Sequence, residues 1–85
     1  MIVADYAGEP AAFSKTYAAF AADTDLATEG GRHARRLRIG VGGTLAVVYY
    51  GGREDTITYQ SGDIDAIAIV TIKSTSTAQD VTVYW

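Results

Sequence analysis

Cysteine is absent from this chain of 85 residues, and histidine occurs only once, as His33. Without cysteine the chain has no disulfide, no thiolate ligand for a metal and no cysteine nucleophile. A catalytic nucleophile needs a base within reach and a third group that orients the base, and His33 is the only candidate imidazole. It lies in a basic, glycine-flanked stretch that is typical of a solvated or interface loop. We therefore expect no enzyme activity and no cofactor.

Charged residues and long apolar runs are also scarce. Only 20 % of the residues are charged, and no run approaches the ~20 apolar residues of a membrane span. The net charge of −3 does not suggest a general nucleic-acid binder. The opening residues lack the basic region of a secretory signal and include Asp5 and Glu9. We expect synthesis in the cytoplasm, no specific nucleic-acid binding and no membrane insertion.

Apolar and aromatic residues are plentiful for so short a chain. Hydrophobic residues make up 48 %, including six tyrosines, two phenylalanines and one tryptophan. A domain of this size buries only about 60–65 % of the surface that its unfolded chain exposes, and its small core is marginally stabilising. Since no disulfide is possible, association with other subunits is the remaining source of stability. We predict that part of the apolar surface faces a partner.

From residue 35 onward the sequence predicts β-strands separated by turns. Arg36–Ile39 alternates polar and apolar residues, as a half-buried strand does, and the glycines of Gly40-Val41-Gly42-Gly43 predict a turn. Thr44–Tyr50 is apolar on both faces, which predicts a central strand covered on two sides. The pair Gly51-Gly52 is a strong hairpin signal.

The second half continues the same alternation. Glu54–Gln60 predicts a strand, Ser61-Gly62-Asp63 a turn, and Ile64–Lys73 one long strand that is covered on both faces or bulged. Ser74–Thr77 predicts a polar loop. Asp80–Trp85 predicts the last strand, whose apolar side chains share one face. We expect Trp85 to be docked against the fold or an interface. That face carries Val81, Val83 and Trp85.

The first third is ambiguous. Ala11–Ala22 fits helix and strand about equally, because its aromatic residues have helical spacing while turn-forming residues follow in Asp23-Thr24-Asp25 and Thr28–Gly31. Residues 1–14 are predicted to be an irregular N-terminal arm, and residues 15–85 a β-domain. The whole pattern predicts an all-β fold, a small antiparallel β-sandwich or barrel of about six strands.

Two groups of residues invite a ligand-binding interpretation. The pairs Asp23/Asp25 and Asp63/Asp65 offer oxygen ligands for a hard cation such as calcium. Neither pair belongs to a full calcium-loop pattern, and turns favour aspartate for their own hydrogen bonds, so we predict no metal site. The glycines at 40–43 are not a phosphate loop, because no Lys-Ser/Thr follows and the next predicted element is a strand.

The candidate binding residues are arginines and aromatic residues. Four of the five arginines fall in one seven-residue stretch, and they fit either a patch that attracts an acidic protein surface or a merely solvated strand face. The aromatic side chains fit interface anchors, cross-strand pairs or a carbohydrate-binding platform. We predict two interface patches, one formed by Tyr49, Tyr50, Tyr84 and Trp85, and the other by Arg32, Arg35, Arg36 and Arg38.

A series of short motifs runs in order from about Tyr17 through the rest of the chain. They are Asp23-Thr24-Asp25-Leu26, Arg36-Leu37-Arg38-Ile39, Gly40-x-Gly42-Gly43-Thr44-Leu45-Ala46-Val47-Val48, Gly51-Gly52, Thr56-Ile57-Thr58-Tyr59, and Ser74-Thr75-Ser76-Thr77-Ala78-Gln79-Asp80-Val81 with Tyr84. In order and spacing the series resembles the small head spike base proteins of tailed phages and gene transfer agents. The stretch up to Ser14 has no counterpart, and the proline often seen before the Asp-Thr-Asp-Leu motif is missing.

The resemblance implies a structural virion protein, located at the capsid vertex in the head spike. It implies a homo-oligomeric base, with a pentamer favoured by the five-fold vertex and a trimer as the alternative, in contact with a capsid protein and a spike fibre protein. It also favours a strand near Tyr17–Ala22, and it supplies no catalytic residue. The alternative function is a carbohydrate-binding β-module that contacts a host surface glycan through its tyrosines.

Overall fold

The computed structural model describes residues 13–85, which form two four-stranded antiparallel sheets packed as a sandwich, with one short helix. The predicted all-β class and sandwich are confirmed. The predicted 1–14 arm falls largely on residues 1–12, which lie outside the described residues.

The described residues contain eight strands and one helix, more strands than the six expected because two of them are only two residues long. In chain order they are β1 (Ser14–Tyr17), β2 (Thr24–Asp25), α1 (Leu26–Gly30), β3 (Arg36–Val41), β4 (Gly43–Tyr49), β5 (Glu54–Tyr59), β6 (Ile64–Asp65), β7 (Ile69–Ile72) and β8 (Gln79–Tyr84). The first sheet has the order β1-β8-β3-β6, and the second sheet has the order β2-β7-β4-β5.

The ambiguous 11–22 segment contains a strand and, in its described part, no helix. β1 ends at Tyr17 and pairs antiparallel with β8, so the strand expected near Tyr17–Ala22 reaches only its first residue. The helix lies later, where the sequence predicted turns. Asp25 accepts hydrogen bonds from the amides of Ala27 and Thr28 as N-cap, and Gly31 ends α1 with a φ of 79°. Turn residues and helix-capping residues are the same types, which explains the error.

The turn predicted at Gly40–Gly43 is not a separate turn, because three of its four residues lie in strands. β3 continues through Gly40 to Val41, and β4 begins at Gly43 in the opposite sheet. A Cβ at Gly40 would lie 2.6 Å from the Asp80 backbone oxygen, and a Cβ at Gly42 would lie 2.9 Å from the Tyr59 backbone oxygen. Gly40 and Gly42 are therefore needed because other segments of the backbone pass too close to leave room for a Cβ atom.

The apolar run Ile64–Lys73 is not one strand, contrary to the prediction. Its start is β6 in the first sheet and its end is β7 in the second, and residues 66–68 carry the chain across. Ile69 and Ile72 are fully buried, whereas Ile64 is 66 % exposed. The run is apolar on both faces because its two halves belong to different sheets.

The remaining strand and turn predictions agree with the structure, with one exception. Gly52 (φ 95°) lies in the β4–β5 hairpin and Gly62 (φ 91°) in the next turn. β4 is central in the second sheet, but only Leu45 and Val47 on its inner face are buried. Its outer face is half-exposed, because no third layer covers it among the described residues.

The core lies between the sheets and consists of fourteen buried residues. Val81, Val83 and Trp85 share the inner face of β8, as predicted. The Trp85 indole N–H donates a hydrogen bond of 2.8 Å to the Leu26 carbonyl oxygen. The core residues are Phe20, Leu26, Ala34, Leu37, Ile39, Leu45, Val47, Tyr59, Ile69, Ile72, Ala78, Val81, Val83 and Trp85.

We expect Gly30→Ala to destabilise the fold, because the added methyl would overlap the Trp85 indole ring. Overpacking of this kind costs about 1–3 kcal/mol. Gly51→Ala is the control: no atom lies within 4 Å of its added methyl, so its effect should stay within about 0.5 kcal/mol. Urea unfolding followed by fluorescence of the sole tryptophan measures both. Equal stabilities of the two variants would contradict the docking of Trp85 under Gly30.

Acid should weaken the attachment of α1. Hydrogen bonds from Thr28 lower the pKa of Asp25, and a hydrogen bond from Lys15 lowers the pKa of Glu29. A carboxylate whose pKa is lower in the folded state stabilises the fold above its unfolded pKa, and this contribution disappears as the pH falls through the folded pKa. We therefore expect the free energy of unfolding to decrease below about pH 5.

Urea titrations at a series of pH values measure this effect. Asp25→Asn and Glu29→Gln should each make the pH dependence shallower than in the wild type. Asp80→Asn is the control, because the Asp80 side chain makes no hydrogen bond or ion pair with the described residues. The same slope in all four proteins would show that these carboxylates do not govern acid stability.

Candidate interaction surface

The outer face of the first sheet brings arginines beside aromatic and aliphatic side chains. The antiparallel register places Arg36 opposite Tyr84, and Arg38 opposite both Thr82 and Ile64. Their sequence neighbours Leu37, Ile39, Val81 and Val83 are buried. Because side chains alternate along a strand, this set points outward. We call it, together with Arg35, the basic face: Arg35, Arg36, Arg38, Ile64 and Tyr84.

Arg36 and Arg38 have no acidic partner in the described part of the chain. The ion pairs found between residues 13 and 85 are Lys15–Glu29 and Lys73–Glu54, so no carboxylate lies within 4.0 Å of either guanidinium. The Arg36 guanidinium instead lies 5.0 Å from the centre of the Tyr84 ring, a cation–π contact. This contact orients Arg36 while leaving its N–H groups available to a partner.

Two recesses lie on either side of the Arg36–Tyr84 pair. The first, of about 300 Å³, is also lined by Arg35, Ala66 and Trp85. There Arg35 Nη2 donates a hydrogen bond of 3.3 Å to the Trp85 carbonyl oxygen. The second, of about 250 Å³, is lined by Arg36, Arg38, Ile64 and Tyr84. Guanidinium groups beside apolar walls suit a carboxylate carried by a partly apolar partner.

Tyr49 and Tyr50 lie at the β4–β5 hairpin of the second sheet. The Arg53 guanidinium lies 4.5 Å from the centre of the Tyr49 ring, and the Tyr49 hydroxyl donates to Asp55 Oδ2 at 3.0 Å. Desolvation and this hydrogen bond raise the pKa of Tyr49. Tyr50 is 67 % exposed, and its ring centre lies 4.3 Å from that of His33. Each tyrosine is therefore engaged with a different neighbour.

The structure does not assemble the predicted aromatic patch. Trp85 is only 2 % exposed and belongs to the core, and Tyr84 points outward beside Arg36. Tyr49 ends β4 in the other sheet, and Tyr50 follows it in the hairpin turn. The alternation of side chains along β8 separates Tyr84 from Trp85, and the strand order places β4, with Tyr49, in the other sheet.

The predicted arginine patch is divided as well. Arg36 and Arg38 share the basic face, and Arg35 lines its first recess. Arg32 is exposed in the loop between α1 and β3, beside His33, which pairs with Tyr50. Ile64 is a surface residue that the sequence analysis missed. The flanking Asp63 and Asp65 could have indicated an outermost strand, because charged residues are common in edge strands.

The four aspartates of the two pairs accept hydrogen bonds that stabilise turns, the N-terminus of α1 and the contact between the sheets. Asp23 accepts a 2.8 Å hydrogen bond from the Ser74 amide, and Asp63 accepts one of 2.8 Å from the Gln60 amide. Asp65 accepts a 2.6 Å hydrogen bond from the Tyr59 hydroxyl, and burial together with this bond raises the pKa of Tyr59. Residues 13–85 contain no group of three or more histidine or acidic side chains that could hold a metal ion.

Within the described range, no helix is long and apolar enough to cross a membrane. A comparison with family models, curated proteins and solved structures found no match to the chain. The resemblance to head spike base proteins stays a prediction. Function is therefore inferred from the fold and from the chemistry of the basic face.

We expect Ile64→Ala to leave the free energy of unfolding of the dissociated chain nearly unchanged, within about 0.5 kcal/mol, because Ile64 is mostly exposed in a single copy. The matched variant Ile69→Ala removes the same atoms from a fully buried site and should cost about 2–5 kcal/mol. Thermal and urea unfolding compare the two. A large loss for Ile64→Ala would mean that this residue is covered within a single chain.

Proposed function

We propose that the chain is a structural virion protein, an oligomeric base at the capsid vertex that anchors a head spike or fibre. The observation that carries the proposal is the basic face, an outward sheet surface on which Arg36 and Arg38, exposed and without an acidic partner between residues 13 and 85, lie beside a tyrosine and an isoleucine. The ordered motif series supports the specific role, because it is the feature that resembles head spike base proteins.

The composition of the basic face favours protein association. Arginine and tyrosine are enriched in the centres of protein interfaces, where a few such side chains supply most of the binding energy. The face is held by β3 and β8, whose opposite side chains form the core. A partner therefore meets a surface whose backbone is already fixed, which reduces the entropy lost on binding.

The size of the chain fits a subunit with more than one neighbour. The described residues expose 4488 Å², and a standard contact buries ~800 Å² on each partner. Two contacts would take roughly a third of this surface, which leaves room for both sister subunits and other proteins. We propose a homo-oligomer, with five copies favoured and three as the alternative, in contact with a capsid protein and a fibre protein.

The chemistry of the described carboxylates also favours a structural role over a catalytic one. The aspartates at turns and caps accept hydrogen bonds from backbone or hydroxyl groups, and Glu29 and Glu54 pair with lysines. His33 contacts the Tyr50 ring. These groups stabilise local structure, and none of these contacts joins a nucleophile to a base.

The glycan-binding alternative has weaker support. A carbohydrate platform needs several exposed aromatic rings on one face. Tyr50 is exposed, but Trp85 is buried, Arg53 lies over the Tyr49 ring, and Tyr84 belongs to the other sheet. A glycan array with the wild type and with Tyr50→Ala would favour this alternative if it gave a signal that depends on Tyr50.

We expect the purified chain to form a discrete oligomer of about five 9.0 kDa subunits, because one small core leaves the basic face to be covered by neighbours. Light scattering behind a sizing column measures the mass. Antibody labelling of purified particles from the phage or gene transfer agent that encodes the chain should mark the vertices. A monomer at high concentration, together with particles that lack the protein, would refute the proposal.

A further inference from the structure

We propose that the basic face binds an acidic surface on a second copy of this chain, so that copies associate head to tail. This inference rests on the proposed function, since it names the partner of the basic face in the homo-oligomer. The acidic surface lies on the β5–β6 side of the sandwich. We call it the acidic edge, and its residues are Asp55, Asp63 and Asp65.

A symmetric dimer through the basic face is disfavoured by charge. In a two-fold contact the same patch meets itself, so Arg36 and Arg38 would face their own counterparts. No carboxylate within 4.0 Å neutralises either guanidinium in the described chain, and like charges brought together across an interface cost several kcal/mol. The partner of this face must therefore bring carboxylates.

The chain itself has those carboxylates on other surfaces. Of its seven lysines and arginines, three lie on the basic face, which leaves four to offset ten acidic residues. The strand alternation of β8 places one acid, Asp80, on the outer side of the first sheet, beside Gly40. A second copy can thus supply an acidic surface without any other protein.

The acidic edge is a single side of the molecule. β5 is the outermost strand of the second sheet, and β6 is the outermost strand of the first. The hydrogen bond of 2.6 Å from the Tyr59 hydroxyl to Asp65 joins the two strands. The nearby cations are partly engaged, because Lys73 pairs with Glu54 and Arg53 lies over the Tyr49 ring.

The outer edge of β5 is arranged for side-chain contacts. Asp55 Oδ1 accepts a hydrogen bond from the Thr56 amide, and Asp63 Oδ2 accepts one from the Gln60 amide, each at 2.8 Å. These carboxylates cover two amides at which another strand would otherwise pair, which discourages strand-to-strand addition. A carboxylate accepts several hydrogen bonds, so Asp55 and Asp63 can still receive N–H groups from an arginine.

One copy can use both surfaces at once. They meet at β6, where Ile64 points outward from the first sheet while Asp65 bonds toward the second. The recesses beside Tyr84 accept carboxylates from one neighbour, and the acidic edge contacts the arginines of another. Contacts between two different patches produce a closed ring when the rotation between copies allows it, as a vertex pentamer requires.

Sedimentation velocity over a concentration series, in about 0.1 M and about 1 M NaCl, tests the charge dependence. The screening length falls from about 10 Å to about 3 Å between these conditions, so we expect association of the wild type to weaken by at least about tenfold, the loss of one charge-assisted contact. Arg36→Glu/Arg38→Glu should weaken it at least as much in low salt. The control, Arg32→Glu, reverses an exposed arginine in the loop between α1 and β3, away from both surfaces, and should associate like the wild type.

A mixing experiment tests the head-to-tail arrangement. Asp55→Arg/Asp63→Arg reverses part of the acidic edge and should also lose self-association. Mixed with Arg36→Glu/Arg38→Glu it should regain association, because one variant keeps the native basic face and the other keeps the native acidic edge. Far-UV circular dichroism checks the folding of each variant. If Arg36→Glu/Arg38→Glu is unfolded, Arg36→Gln/Arg38→Gln takes its place.

The outcomes separate this inference from the proposed function. A wild-type oligomer that neither salt nor Arg36→Glu/Arg38→Glu weakens would overturn the inference and leave the structural role standing. Failure of the two complementary variants to associate when mixed would also overturn it. A wild type that stays monomeric at all concentrations would overturn both the inference and the homo-oligomer of the proposed function.

Discussion

The docking of Trp85 holds together the parts of the molecule on which its surface depends. Its indole N–H bonds to the Leu26 carbonyl oxygen at 2.8 Å, its ring lies against Gly30, and Phe13 packs on it with ring centres 5.0 Å apart. These contacts join α1 and the start of β1 to the end of β8. With Trp85 fixed inward, Tyr84 must face outward, and Arg36 lies over it. The basic face is thus the reverse side of a core contact.

Stability and association are linked in so small a domain. The two sheets bury fourteen residues, which include most of the large aromatic and aliphatic side chains between residues 13 and 85, so the excess of apolar surface is smaller than the composition suggests. What remains outside is chemically specific, since guanidinium groups surround a tyrosine ring and an exposed isoleucine. Such a surface selects an acidic partner through charge and anchors it through apolar contact, whereas a purely apolar surface would bind less selectively.

Several features of the fold follow from residues that are close in sequence. Val81, Val83 and Trp85 alternate with polar residues and are buried together, and the glycines at 51–52 and 62 form the turns that their chemistry favours. The predictions that were wrong concern segments whose local sequence fits two different structures equally well. Asp25 and Gly31 suit a turn or a helix cap equally, and the run from Ile64 to Lys73 suits one covered strand or two strands in different sheets.

The sequence by itself determined which side chains of each strand lie together, because side-chain direction along a strand has a period of two and depends only on local geometry. It therefore determined that Arg36 accompanies Arg38 and that Tyr84 is separated from Trp85, which the predicted aromatic patch wrongly joined. Only the tertiary structure decided that Arg36, Tyr84 and Ile64 form one surface while Tyr49 and Tyr50 lie on the other sheet. Strand pairing joins residues such as Arg36 and Tyr84 that are far apart along the chain, and it is selected by the burial of the whole core, which no local pattern specifies.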